Sequence, residues 1–195
     1  MGGVAILVPA AGASSRMRGK DKLLQTVRGQ PLLRDRVTLA LGTGCAVAVT
    51  LPPEDAARRA ALDGLHVTLL PVPDAASGMS ASLRTGAAWA MTQDAAALMV
   101  LLPDLPDLTA EDLQTLLHTN DHSGIFRACD ADGTPGHPVI LPARLLPDLT
   151  RVTGDTGARD LLRAHPVTPV PLPGRHATTD LDTPEAWAAW RAANP

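Results

Sequence analysis

The chain has 195 residues, 45% of them hydrophobic and 19% charged, which allows one well-buried core and argues against a disordered interaction protein. Net charge is −3, and the 17 basic residues show no arm or stripe, so nucleic acid is not an expected partner. With no Tyr, one Phe and three Trp, there is no aromatic platform for stacking single-stranded bases.

In chain order, short runs rich in Val, Ile and Leu alternate with longer amphipathic stretches. Val4–Pro9, Cys45–Leu51, His66–Val72 and Ala97–Leu102 read as buried strands, each bounded by Gly, Pro or Asp. Between them, Leu32–Leu41, Glu54–Leu62 and Ser80–Thr92 carry apolar residues at helical spacing. Thr109, three residues before Asp112, signals the start of a further helix. Ser123–Ala128 and Pro138–Leu141 then read as strands, and Asp155–Ala164 and Pro184–Ala193 as helices, the last with Thr183 as cap and Pro184 at its first position. The expectation is one α/β domain over residues 1–195, with a mostly parallel sheet covered by helices on both faces.

Apolar stretches such as Ala95–Leu102 are too short to span a membrane, and the N-terminus reads as a first strand, not a signal peptide. Cys45 and Cys129 lack a CxxC partner, which suggests two reduced thiols in a cytoplasmic protein.

In open α/β sheets, ligands bind beyond the carboxyl ends of the strands, so the loop after the first strand comes first. Small residues from Ala10 to Ser15 let a ligand approach backbone amides, and Arg16, Arg18, Lys20 and Lys22 add four cations within seven residues. That pairing suggests a polyphosphate. It is not a Walker A loop, because Asp21 follows Gly19-Lys20, nor a dinucleotide fingerprint, because Ser14 stands where the second Gly belongs. His118 and His122 have HxxxH spacing without the HExxH pattern, so they read as solvated side chains, and no GxSxG elbow supports a hydrolase.

The run Ala10-Ala11-Gly12-Ala13-Ser14-Ser15-Arg16-Met17, with Lys22 beyond it, resembles the MobA-like nucleotidyltransferases, which attach a nucleotide to the molybdenum cofactor. Asp74 and Gly78-Met79-Ser80-Ala81-Ser82-Leu83 look like that family's second nucleotide loop. Leu102-Pro103-Asp104-Leu105-Pro106 is similar to its metal-binding strand end. Gly136-His137-Pro138-Val139, then Gly154 to Arg159, then Asp180-Leu181-Asp182-Thr183-Pro184, follow in the family's order. Pro9 replaces a usual Leu, and Arg18 stands where Gly is common.

The resemblance implies a three-layer Rossmann-like nucleotidyltransferase fold of GT-A type. It further implies nucleotide contacts from Ala10, Ala11, Gly12, Ala13, Arg16, Lys22, Asp74, Ser80 and Ser82, with Arg16, Lys22 and Asp104 as catalytic groups. Asp104 and Asp182 suit Mg²⁺, which takes one or two carboxylates plus phosphate oxygens; equally, either Asp is a turn or helix-cap residue. Ser80 and Ser82 also fit a helix start, and Asp74 a plain turn. His137 and Arg159 stand where the family's pterin substrate binds, against a partly buried His and a solvated Arg.

The implied reaction is attack by a phosphate monoester on the α-phosphorus of a nucleoside triphosphate. The monoester's second pKa is about 6, so no general base is needed. Guanylyltransferase-like members carry Ala-Gly-Gly in the first loop. Ala11 in its place looks like the cytidylyltransferase branch, with its methyl narrowing the base site, so CTP is expected ahead of GTP, with molybdopterin as acceptor and a client molybdoenzyme as a transient partner. A transferase acting on a sugar phosphate and a non-catalytic cofactor carrier are the alternatives.

Overall fold

The computed structural model describes residues 3–154 and 159–194. Nine strands are described: β1 (Val4–Pro9), β2 (Thr26–Val27), β3 (Gln30–Pro31), β4 (Ala46–Leu51), β5 (Thr68–Pro71), β6 (Ala97–Val100), β7 (Ile125–Cys129), β8 (Pro135–Pro142) and β9 (Val167–Pro171). The α-helices are α1 (Leu32–Leu41), α2 (Ala56–Ala61), α3 (Met79–Thr92), α4 (Ala110–Thr119), α5 (Leu146–Leu149), α6 (Arg159–Ala164) and α7 (Pro184–Ala193). Seven strands form one sheet in the order β5-β4-β1-β6-β8-β7-β9, and β2 and β3 form a separate hairpin. Every pairing in the large sheet is parallel except those of β8, which runs against both β6 and β7.

Both faces of β1 are buried, which is why its sequence is continuously apolar. Ile6 and Val8 face one core with Leu33 and Val37 of α1 and Leu113 and Leu116 of α4. Ala5 and Leu7 face the other, with Leu83 and Ala87 of α3 and Leu146 and Leu149 of α5. Truncating one of these fully buried side chains, such as Ile6, costs about 2–5 kcal/mol. The α3 backbone crosses close over β1 at Gly86, where a Cβ would meet the Leu7 side chain.

The expected bounds of β1, α1 and α7 are those observed, and the Thr109–Asp112 capping box forms with both reciprocal bonds, at 3.2 and 2.8 Å. The expected helix over 155–164 is described from Arg159; its first four residues lie outside the described residues. The sequence carried no signal for β9, which contains Pro169 and Pro171. As an edge strand paired only with β7, it leaves its outer side unbonded, where proline's missing N–H is tolerated. The β2–β3 turn also went unread: Arg28 and Gly29 take left-handed φ of 48° and 81°, the geometry of a tight two-residue hairpin.

Candidate active site

The first loop is shaped from below by a residue the motif search did not consider. Arg58 of α2 is 3% exposed, and its Nη1 donates to the carbonyls of Ala10 and Gly12 at 2.7 and 2.8 Å. Its Nε and Nη2 donate to the two oxygens of Asp21 at 2.7 and 3.0 Å, and Asp55 lies 3.3 Å from Nε. In a trans peptide the N–H points opposite to the C=O, so drawing these two carbonyls down turns the amides of Ala11 and Ala13 away from Arg58. The Ala10 amide is consumed by the Thr50 carbonyl at 3.0 Å. Ser14 adopts φ 51°, and its hydroxyl accepts from the Lys22 amide at 3.4 Å, which joins the loop to the cation.

Across this loop, Lys22 Nζ donates to Asp104 Oδ2 at 2.6 Å and also to Asp182 Oδ1. Arg16 Nη1 donates to Asp182 Oδ2 at 2.5 Å. Burial alone lowers the Lys22 ammonium's pKa, but Asp104 and Asp182 outweigh it and raise the pKa overall. At Asp182 burial pushes the carboxyl up, and Lys22 and Arg16 bring it below its ordinary value. The other oxygen of Asp104, Oδ1, is buried with no hydrogen-bond partner. The Asp104 carbonyl accepts from the Leu181 amide at 3.1 Å, and this link brings Asp182 to the end of β6.

The segment after β6 is itself held by an ion network of Asp35 and Arg36 on α1 with Arg28 of the β2–β3 turn. Arg36 Nη1 donates to the carbonyls of Leu105 and Leu108, Arg28 Nη2 to that of Pro106, and both guanidiniums pair with Asp35. Burial would raise the Asp35 carboxyl, yet Arg28 and Arg36 hold it below the usual range. Asp104 is therefore anchored on both sides of the sheet edge.

A cavity of about 300 Å³ opens between the two loops, lined by Gly12, Ala13, Ser14, Lys22, Ala75, Ala76, Gly78, Met79, Ser82 and Asp104 among others. The amino end of the 14-residue α3 borders it, a favourable place for phosphate oxygens. Of the expected nucleotide residues, Gly12, Ala13, Lys22 and Ser82 line the cavity, and Ala10, Ala11, Arg16, Asp74 and Ser80 do not. Ala11 is packed against Val72 and Ala81, so its methyl does not narrow the cavity directly as expected. Asp74 is ion-paired with Arg84. Ser80 is fully buried and donates to the Ser77 carbonyl at 3.1 Å, closing the loop ahead of α3. Asp182 does not line the cavity and reaches it only through its ion pair with Lys22.

His137 precedes a cis proline, and its Nδ1 is buried without a partner. Burial, with the nearby Arg127 charge, pushes its pKa down to about 4, against the opposing pull of Asp104, so the ring is neutral near pH 7. Its backbone N–H donates to the Ala177 carbonyl at 3.0 Å, and Gly136 is required there because a Cβ would strike that carbonyl. Arg159 lies apart from the first cavity, beside Arg127 in a second one. His122 pairs with Asn120 at 2.9 Å, and both cysteines are free thiols.

This geometry has known counterparts. Residues 6–170 match the MobA-like NTP transferase domain. The chain belongs to the MobA-like NTP transferase family. Among curated relatives, the nicotine blue oxidoreductase of Paenarthrobacter nicotinovorans is 32% identical over 165 residues, 80% of each chain. Among solved structures, Rv0371c of Mycobacterium tuberculosis H37Rv is 27% identical with a TM-score of 0.85, covering 96% of both chains. A second structure of that protein, a complex with manganese, is 25% identical with a TM-score of 0.78, covering 96% of this chain and 97% of the other.

For a MobA-like transferase, a divalent cation on Asp104 suits the residues present. The buried, unpartnered Asp104 Oδ1 is a hard oxygen donor, and Asp182 supplies a second carboxylate nearby. Among the described residues there is no group of three or more His, Cys, Asp or Glu that could hold a metal ion. Arg58, Asp35 and Arg36 are the positioning residues that motif reading missed. The only trace in the sequence is that these charges stand on otherwise core-facing helix positions. No helix among the described residues is long and apolar enough to cross a membrane.

Proposed function

We propose that this nucleotidyltransferase moves CMP from CTP to the terminal phosphate of molybdopterin, with Mg²⁺ as the metal. The observation that carries the transferase chemistry is Lys22 Nζ lying between Asp104 and Asp182 at the rim of the small-residue cavity. A phosphate oxygen of the acceptor attacks the α-phosphorus of the nucleotide, and the bond to pyrophosphate breaks. The attacking phosphate is already mostly dianionic at neutral pH, so the task left to the protein is to offset repulsion between anions.

Lys22 and Arg16 turn from the carboxylates to the triphosphate when the nucleotide enters. The amide of Ala13 and the amino end of α3 donate to phosphate oxygens, and Ser82 contributes its hydroxyl to the same cavity. Asp104 and Asp182 are the carboxylates that would hold Mg²⁺, which would supply positive charge to the phosphates. Support for CTP comes from the loop sequences, Ala10-Ala11-Gly12 and Gly78-Met79-Ser80, and the buried Ala11 methyl packs against Val72 and Ala81.

The deciding assay is pyrophosphate release with Mg²⁺ and molybdenum cofactor, comparing CTP with GTP and weighing the product. Release with CTP and a cytosine dinucleotide product is expected. Preference for GTP overturns the nucleotide assignment; release with neither overturns the acceptor assignment.

A further inference from the structure

Three consecutive residues of the first loop, Arg16, Met17 and Arg18, are held by α7 and the residues that lead into it. Met17 is 2% exposed and packs with Leu181 and Trp187, and with Val27 and Leu32 beside them. On one side of it Arg16 pairs with Asp182, just ahead of the helix; on the other Arg18 pairs with Glu185, in the first helical turn, at 2.6 Å. Thr183, whose hydroxyl accepts from the Ala186 amide at 3.2 Å, starts the helix between the two carboxylates. Further along α7, Trp190 Nε1 donates to Asp107 at 2.7 Å, in the segment that carries Asp104. One helix thus touches both walls of the candidate site, and it lies beyond residues 6–170, the span of the family match.

Arg18 adopts φ 51°, a left-handed conformation that glycine takes freely and an arginine takes under strain. Glycine would serve that backbone better, so the side chain is what Arg18 contributes. Its contribution is not stability: the side chains of Arg18 and Glu185 are 75% and 64% exposed, and pairs so open to solvent hold a fold together only weakly. What the pair does fix is position. Asp182 is shared by Arg16 and Lys22, and Glu185 follows it three residues on. Arg18 is therefore parked about one helical turn from the carboxylate that touches Lys22, which lines the cavity.

We infer that α7 restrains nucleotide binding: Glu185 is a positioning residue that holds Arg18 away from the phosphates, and Arg18 is a further triphosphate-binding cation once released. The inference rests on a nucleotide occupying the first cavity, as read above. A triphosphate entering beside Lys22 sets several negative charges against the single carboxylate of Glu185, and a weak exposed pair exchanges for it. Arg16 makes the same exchange with Asp182, so Met17 and its contact with Trp187 stay in place while the charges on both sides change partners. Coupling of this kind is reciprocal. Whatever strengthens the hold of Glu185 on Arg18 weakens the hold of the loop on the triphosphate by the same factor.

The test measures binding of Mg·CTP, Mg·GTP and CMP by titration calorimetry to the full chain and to Glu185→Gln, Arg18→Ala and the double variant, with urea midpoints to follow folding. Glu185→Gln should tighten Mg·CTP by about threefold, the size of one exposed ion pair, and leave CMP unchanged, since CMP lacks the outer phosphates that Arg18 takes. Arg18→Ala should weaken Mg·CTP by about threefold or more. In the Arg18→Ala background Glu185→Gln should have no effect, because the carboxylate acts through that guanidinium. A merely structural Glu185 would lower the urea midpoint and weaken every ligand, or move nothing, and either result overturns the inference. So does tightening of equal size for CMP or in the Arg18→Ala background, which would make it a general effect of charge. A wild-type chain that binds neither Mg·CTP nor Mg·GTP defeats the nucleotide reading itself, whereas binding that Glu185→Gln leaves unmoved defeats only this inference.

Discussion

Arg58→Met removes the guanidinium beneath the first loop while keeping most of the side-chain volume. Five hydrogen bonds disappear: two to the Ala10 and Gly12 carbonyls, two to Asp21 and one to Ser14. The carbonyls and the Asp21 carboxylate are left behind. Breaking one partner of a buried ion pair costs about 3–5 kcal/mol. Asp21 retains 25% of its side-chain exposure, so water recovers part of its solvation and the lower end, about 3 kcal/mol, is expected. For a domain of this size that is a fall in Tm of about 6–12 °C. Urea denaturation followed by tryptophan fluorescence reads the stability, since Trp187 packs against Met17 at the end of the same loop. In the folded variant, CTP affinity should drop by about tenfold, because the Ala13 amide loses its imposed orientation. A loss below about 1 kcal/mol with unchanged CTP affinity would refute the idea that Arg58 shapes the loop.

Other consequences are equally direct. Lys22→Ala should cut turnover by about 100-fold or more, yet tighten Mn²⁺ binding in the absence of nucleotide, since Nζ no longer competes for Asp104 and Asp182; titration calorimetry that finds weaker Mn²⁺ binding would contradict the competition. Gly136→Ala pushes a methyl into the Ala177 carbonyl and should cost about 2–3 kcal/mol in urea unfolding, while an unperturbed variant would show that the segment carrying Asp182 yields freely. Because the folded His137 has a pKa of about 4 against 6.5 when unfolded, the unfolded chain takes up the proton first on acidification. Stability is therefore full above pH 7 and declines from about pH 6.5 towards pH 4, by about 3 kcal/mol in total from this one group. His137→Asn should flatten that part of the pH profile; an identical slope in both proteins would assign the acid sensitivity elsewhere.

The candidate site was half legible. Gly12, Ala13 and Lys22 came from the chemistry of the first loop and Ser82 and Asp104 from the family resemblance, and all of them converge on one cavity. Ala10, Ala11 and Ser80 came from the same motifs, yet the structure gives them packing and hydrogen-bonding tasks beneath the cavity. A motif marks a stretch of chain whose backbone course matters; it does not say which of its residues faces the ligand.

The sequence by itself determined where the core strands such as β1 and the helices α1, α3, α4 and α7 lie, because the length and period of an apolar run state how many faces are buried, and because caps such as Thr109 and Thr183 act within one turn. Only the tertiary structure decided the antiparallel course of β8, the prolines admitted into edge strand β9, and the meeting of Arg16 and Lys22 with Asp182 across more than 150 residues. It also decided that Arg58 and Arg36 are buried. The cost of burying a charge depends on which carboxylates and carbonyls the fold delivers to it, and those come from loops distant in the chain, beyond the reach of any local pattern.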